Sequence, residues 1–112
     1  MKENLQQYAR LLLQEGVNLQ QDQLLVINGD VENKDFVYIV VEEAYALGAK
    51  DVHINWRSTI TAKSRLTHAK DTVLANPAPW IADMYHHIVD SNACILSLIS
   101  ANPFAYEGVP SE

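Results

Sequence analysis

The residues with the plainest chemical potential lie in one stretch, "DMYHHIVD". Asp83, His86, His87 and Asp90 offer two carboxylates and two imidazoles, donors that bind zinc and other divalent metals. On a helix that turns about 100° per residue, they fall within roughly a quarter to a third of the circumference. Ile81, Met84 and Ile88 fall on the other side. That is the pattern of an amphipathic helix with its polar face in water. A metal ion needs ligands converging from several directions, which one convex face does not supply, and no H-E-x-x-H occurs. The four are therefore expected to be solvated surface.

Phosphate binding is the next chemistry to test. In an α/β domain it would fall on the turn after the first strand, here "NGDVEN". That turn has one glycine and neither G-x-G-x-x-G nor G-x-x-x-x-G-K. Asp30 and Glu32 put negative charge where a phosphate would sit. A plain structural turn is expected. Cys94 opens an apolar strand and reads as a buried thiol, not a nucleophile in an electropositive setting. His53 and His68 have no motif around them, and no G-x-S-x-G elbow exists. Trp56, Trp80 and Tyr85 are expected to be core or interface aromatics. No catalytic, cofactor-binding or metal-binding residue is assigned.

Composition narrows the classes further. The chain has 112 residues, with Lys+Arg 8 against Asp+Glu 14 and a net charge of −6. That acidity argues against a nucleic-acid partner, which calls for surplus Lys and Arg. Hydrophobic residues at 48% and charged residues at 20% make a globular balance. A single cysteine excludes an internal disulfide and a cysteine-rich zinc site. The opening "MKENLQQYAR" lacks a signal-peptide core, and no apolar run nears the roughly 20 residues that span a bilayer. A cytoplasmic location without membrane contact is expected.

The elements that would position these residues can be read from periodicity. Leu5, Tyr8, Ala9, Leu12 and Leu13 mark one face of a first helix, stopped by Gly16 in a left-handed conformation. "LLVIN" (24–28) is a strand buried on both faces, and Gly29 to Glu32 a tight connection. Asn33 is the expected N-cap of a helix to about Leu47, in which Glu42 and Glu43 need water and after which Gly48 stops the helix. "DVHINW" (51–56) is a second strand. Arg57 to Lys70 has a weak helical pattern, and Pro79 opens a helix to about Asp90. "ACILSLI" (93–99) is a third strand, and Asn102 to Glu112 has no periodicity.

This order predicts a three-layer α/β fold of flavodoxin or Rossmann type. A small, mostly parallel sheet would have the first strand in the middle, right-handed crossovers and helices on both faces. Val26, Ile27, Val40, Ala44, Ile54, Ile95 and Leu96 are the expected core. The sequence stops soon after the third strand, so the sheet is expected to be truncated. Residues 1–112 would form a single N-terminal α/β domain or part of one.

Three stretches together resemble one family: "NLQQYARLLLQEGVNLQQDQLLVING", "VVEEAYALGAKDVHINW" and "ACILSLISANPFAYEGV". In order and spacing they are similar to the N-terminal region of the thermophilic-type metallo-aminopeptidases, the family of aminopeptidase T, aminopeptidase S and PepS. The most specific piece, "EEAYALGAKDVHINW", is similar to the family pattern EEAYxxGAKDVxVxW, with Ile54 in place of the pattern's second valine. One departure is Asp22, where the family usually has glycine in the turn before the strand.

The resemblance implies a parent hydrolase that removes N-terminal residues from peptides. In such enzymes two divalent ions, of Zn, Co or Mg type, activate a water and polarise the scissile carbonyl. It also implies that the ligands lie in a C-terminal catalytic domain absent from these residues. The expected partners are that domain, peptide substrates of the parent and further copies of the chain. Two other classes compete with this reading: a free-standing flavodoxin-like module for a small ligand, and an interaction domain acting through its acidic surface. The length of the open reading frame separates the first reading from these two.

Overall fold

The protein is described here as a computed structural model covering residues 2–98. Helix α1 (Lys2–Leu11) widens into a π-helical turn over Leu12–Gly16. Strand β1 spans Leu24–Asp30, helix α2 Lys34–Ala46 and strand β2 Asp51–Arg57. Helices α3 (Thr59–His68), α4 (Asp71–Ala75) and α5 (Pro79–Asp90) lead to strand β3 (Cys94–Leu98). Ile99 and the polar stretch Asn102 to Glu112 lie outside the described residues.

The strand order is β2-β1-β3, with both pairings parallel. Leu25 stands between Val52 and Cys94, and Ile27 between Ile54 and Leu96. Those residues share one face because side chains alternate along a strand. Against that face pack Ala9 and Leu13, four residues apart before Gly16, with Val37, Val40 and Ala44 of α2. On the other face Val26 is buried, and α5 buries Ile88. Helix α5 lies over β1 and β2, where Met84, His87 and Ile88 face Leu24, Val26 and His53 across a cleft of about 250 Å³. The expected three-layer α/β arrangement with β1 central is therefore observed.

Several local expectations are corrected. Ile95 is 44% exposed and not core. β3 is an edge strand, its alternate residues Cys94, Leu96 and Leu98 face the core, and α5 covers the other two strands instead. Ile54 is only half-buried. Val26, Ile27, Val40, Ala44 and Leu96 are buried as expected. Glu43 is buried, because Arg10 of α1 donates to its carboxylate across the helix pair.

Gly16 does not take a left-handed conformation. The chain turns instead by widening, with Val17 N–H donating to Leu12 O at 3.0 Å and Asn18 at φ 53°. Gly48 does end α2 left-handed, at φ 97°. Asp22 adopts φ 61°, the region glycine favours, and its N–H reaches Gly48 O at 2.7 Å. The family's usual glycine suits that position, and Asp is one of the few side chains that tolerate it.

Candidate functional site

Polar side chains gather at the carboxyl end of the sheet, on the face away from the main core. In-register pairing aligns Asn55, Asn28 and Ser97 across the three strands. Asn55 Nδ2 donates to Asn28 Oδ1 and Asn28 Nδ2 donates to Ser97 Oγ, each at 3.3 Å. One row further, Asp30 stands beside Arg57. β1 thus continues two residues past the expected end at Asn28, so Gly29 and Asp30 belong to the sheet.

Glycine at position 29 has a packing reason. A Cβ there would meet Val37 Cγ2 at 3.2 Å, so the glycine lets α2 sit close to the strand. Asn33 makes no side-chain cap to α2. Capping falls instead to Asp30, whose Oδ1 accepts the Glu32 N–H at 2.9 Å and closes a 3-10 turn over Val31–Asn33. Asp30 Oδ2 is buried without a hydrogen-bond partner among the described residues.

After β2 the chain enters α3 through Ser58, whose Oγ accepts the Thr61 N–H at 3.3 Å. Thr59 Oγ1 donates to Glu32 Oε1 at 3.1 Å and ties this turn to the one after β1. Between them lies a cleft of about 390 Å³ lined by Asp30, Trp56, Arg57, Ser58, Thr61 and Arg65, among others. It lies at the carboxyl ends of parallel strands, where open α/β sheets bind ligands.

Two further clefts flank the sheet. One of about 570 Å³, on the β1–β3 side, is lined by Tyr8, Leu12, Phe36 and Leu98 with Asn33 and Asp35. Tyr8 stacks on Phe36 there, ring centroids 5.6 Å apart. Its acidic Asp35 and the absence of a glycine-rich turn suit it poorly to phosphate. The other, about 500 Å³, lies at the opposite end of the sheet between polar loops, with Gln23, Lys50, Asp51 and His87 in its wall. Gln23 Nε2 donates to Asn92 O at 3.0 Å and bridges two of those loops.

The residues singled out in the sequence are not brought together. Asp83, His86, His87 and Asp90 are all exposed on α5, with Ile81, Met84 and Ile88 turned inward. Among the described residues no group of three or more His, Cys, Asp or Glu is disposed to hold a metal ion. His53 lies near His87 across the α5 cleft, and His68 ends α3 in solvent. Cys94 is buried, its thiol donates to Val17 O at 3.2 Å, and burial pushes its pKa up from the ordinary 9.0. Trp56, Trp80 and Tyr85 are 42%, 66% and 40% exposed and do not belong to the core. Trp56 meets Tyr38 edge-on at 6.1 Å.

Sequence reasoning passed over the cluster at the sheet's carboxyl end. Its signal was polar residues ending two apolar strands, "NGD" and "NWRS". Only register shows that they are neighbours.

Fold and site together define a small parallel α/β unit with clefts at the ends and sides of its sheet, whose described residues supply no converging metal ligands. The chain belongs to the thermophilic metalloprotease (M29) family, whose sequence description matches residues 1–112. It is 35% identical to aminopeptidase PepS of Streptococcus thermophilus over 112 residues, covering 99% of this chain and 27% of that protein. It is 32% identical to aminopeptidase AmpS of Bacillus subtilis over 110 residues, covering 98% of this chain and again 27% of the relative. The solved structure of wild-type AmpT from Thermus thermophilus matches at a TM-score of 0.85 and 28% identity, over 97% of this chain and 28% of that one. The chain thus spans about a quarter of the length of these relatives. The family name implies a metal. The donors present on α5 do not converge on one point and do not fit a metal, so no metal-dependent step is assigned to residues 2–98.

Proposed function

We propose that this chain is the N-terminal, non-catalytic domain of a metal-dependent aminopeptidase that removes N-terminal residues from peptides. The observation that carries this is the family match over residues 1–112 combined with coverage of only 27% of the curated relatives. On this reading the paired divalent ions of Zn, Co or Mg type and their ligands belong to a C-terminal catalytic domain. The scissile peptide bond is hydrolysed there, and the parent works in the cytoplasm.

The domain's own part is to shape substrate access and to pack against the catalytic domain or a second copy. Admitting a chain end while excluding folded chains is a matter of cavity shape as much as of ligands. Support for a packing role comes from β3. Among the described residues it is an edge strand, with Ile95 44% exposed in its middle. Trp80 and Val89 of α5 are 66% and 73% exposed. Free edges and exposed apolar side chains are features that proteins usually cover.

The test is an aminoacyl-nitroanilide assay with added Zn²⁺ or Co²⁺. The protein from the complete open reading frame is expected to release nitroaniline, and residues 1–112 alone to release none. Hydrolysis by residues 1–112, or a complete gene that ends at codon 112, would sink the proposal.

A further inference from the structure

The cleft at the carboxyl ends of β1 and β2 has charges that its own residues leave unmatched. Asp30 is 1% exposed and forms part of the wall. One carboxylate oxygen accepts the Glu32 N–H, and the other has no donor among the described residues. A desolvated carboxylate oxygen is strongly disfavoured until a donor or a cation meets it. The same cleft is lined by Arg57 and Arg65, both exposed and, among the described residues, neither in an ion pair.

The start of α3 lies at the same place, with the Glu32 carboxylate beside it. Helix α3 has ten residues and no acidic residue in its own first turn, and the Glu32 carboxylate that accepts from Thr59 Oγ1 offsets its dipole there. A metal cation would satisfy Asp30 but face two guanidinium groups. A simple anion would suit the arginines but meet the Asp30 carboxylate. A ligand that carries both signs a few bonds apart satisfies all three. Ala62 supplies apolar surface beside them, and about 390 Å³ is within the range of small-molecule sites (~300–1,000 Å³).

We propose that this cleft binds a free α-amino acid, with the ammonium on Asp30 and the carboxylate on Arg57 and Arg65. Ala62 in the wall gives an aliphatic side chain apolar surface to lie against. This inference does not rest on the peptidase reading, because every group it uses lies in residues 30–65.

Isothermal titration of the purified chain with L-leucine, leucinamide and N-acetyl-leucine tests it. L-Leucine is expected to bind at one site per chain, and loss of either charge to weaken binding by about tenfold or more. Asp30→Asn keeps an acceptor for the Glu32 N–H while removing the charge, and is expected to weaken L-leucine to a similar extent. Arg57→Gln/Arg65→Gln is expected to weaken L-leucine and leave leucinamide unchanged, a split that a purely structural role would not produce. That double variant carries the test if Asp30→Asn fails to fold by circular dichroism. Equal affinity for the three compounds, or no saturable L-leucine binding at millimolar concentration, overturns the proposal. So does undiminished binding in the double variant.

Discussion

Aspartate placed at Val40 and at Ile95 should have very different consequences. Val40 is 0% exposed on the face of α2 that packs against the sheet. Removing it forfeits about 1.5–3 kcal/mol of apolar burial. A carboxylate in its place must be desolvated, protonated or expelled with the helix, at a further cost of several kcal/mol. The sum, roughly 5 kcal/mol or more, rivals the 5–15 kcal/mol that stabilises a typical domain. Ile95 has the same aliphatic character but is 44% exposed on an edge strand. About half its burial is lost, near 1 kcal/mol, with up to ~1 kcal/mol more from the poor strand propensity of aspartate.

In thermal melts followed by circular dichroism, Val40→Asp is expected to show no cooperative transition. Ile95→Asp should unfold cooperatively roughly 5–15 °C below the parent chain. Equal damage from both substitutions would refute the edge assignment of Ile95. A native-like melt of Val40→Asp would refute the placement of α2 on the core.

Four more outcomes are expected. Gly29→Ala should cost about 1 kcal/mol in urea unfolding, because the new Cβ meets the stiff, buried Val37 at 3.2 Å; a gain in stability would contradict that contact. Arg10→Ala should cost about 1–2 kcal/mol by leaving the buried Glu43 carboxylate unpaired, a figure discounted because the Arg10 side chain is 58% exposed, and Arg10→Ala/Glu43→Leu should recover most of it. Asp22→Gly relieves a residue at φ 61° and should leave stability unchanged or raise it by up to about 1 kcal/mol in the same assay, with a clear loss as the contrary result. Cys94 has a thiol pKa raised by burial, so its contribution is present below the ordinary 9.0 and lost as pH rises from there toward the folded value; Cys94→Ser should lessen that alkaline loss, and the native thiol should react with a disulfide reagent far more slowly than the unfolded one.

The sequence by itself determined the elements and their order. Apolar alternation in "DVHINW", the apolar run "LLVIN" and the i, i+4 pair Ala9 and Leu13 are local patterns. They fixed which segments are strands or helices and which face of each is apolar, because burial must follow side-chain direction. A chain that alternates strand and helix has few ways to cover both faces of a parallel sheet, so the central place of β1 was also legible.

Tertiary structure alone decided what depends on neighbours distant in the chain. Ile95 looks like core in an apolar run, yet among the described residues no helix lies over it. Glu43 looks like a water-facing acid, yet Arg10 from another helix lets it be buried. Cap geometry decided between Asn33 and Asp30, both plausible by residue type. The cleft between Asp30, Arg57 and Arg65 exists only because parallel register sets Asp30 beside Arg57 and α3 starts one residue after Ser58 is reached. Local periodicity carries the direction of a side chain, whereas register and helix placement arise from contacts between segments separated by tens of residues.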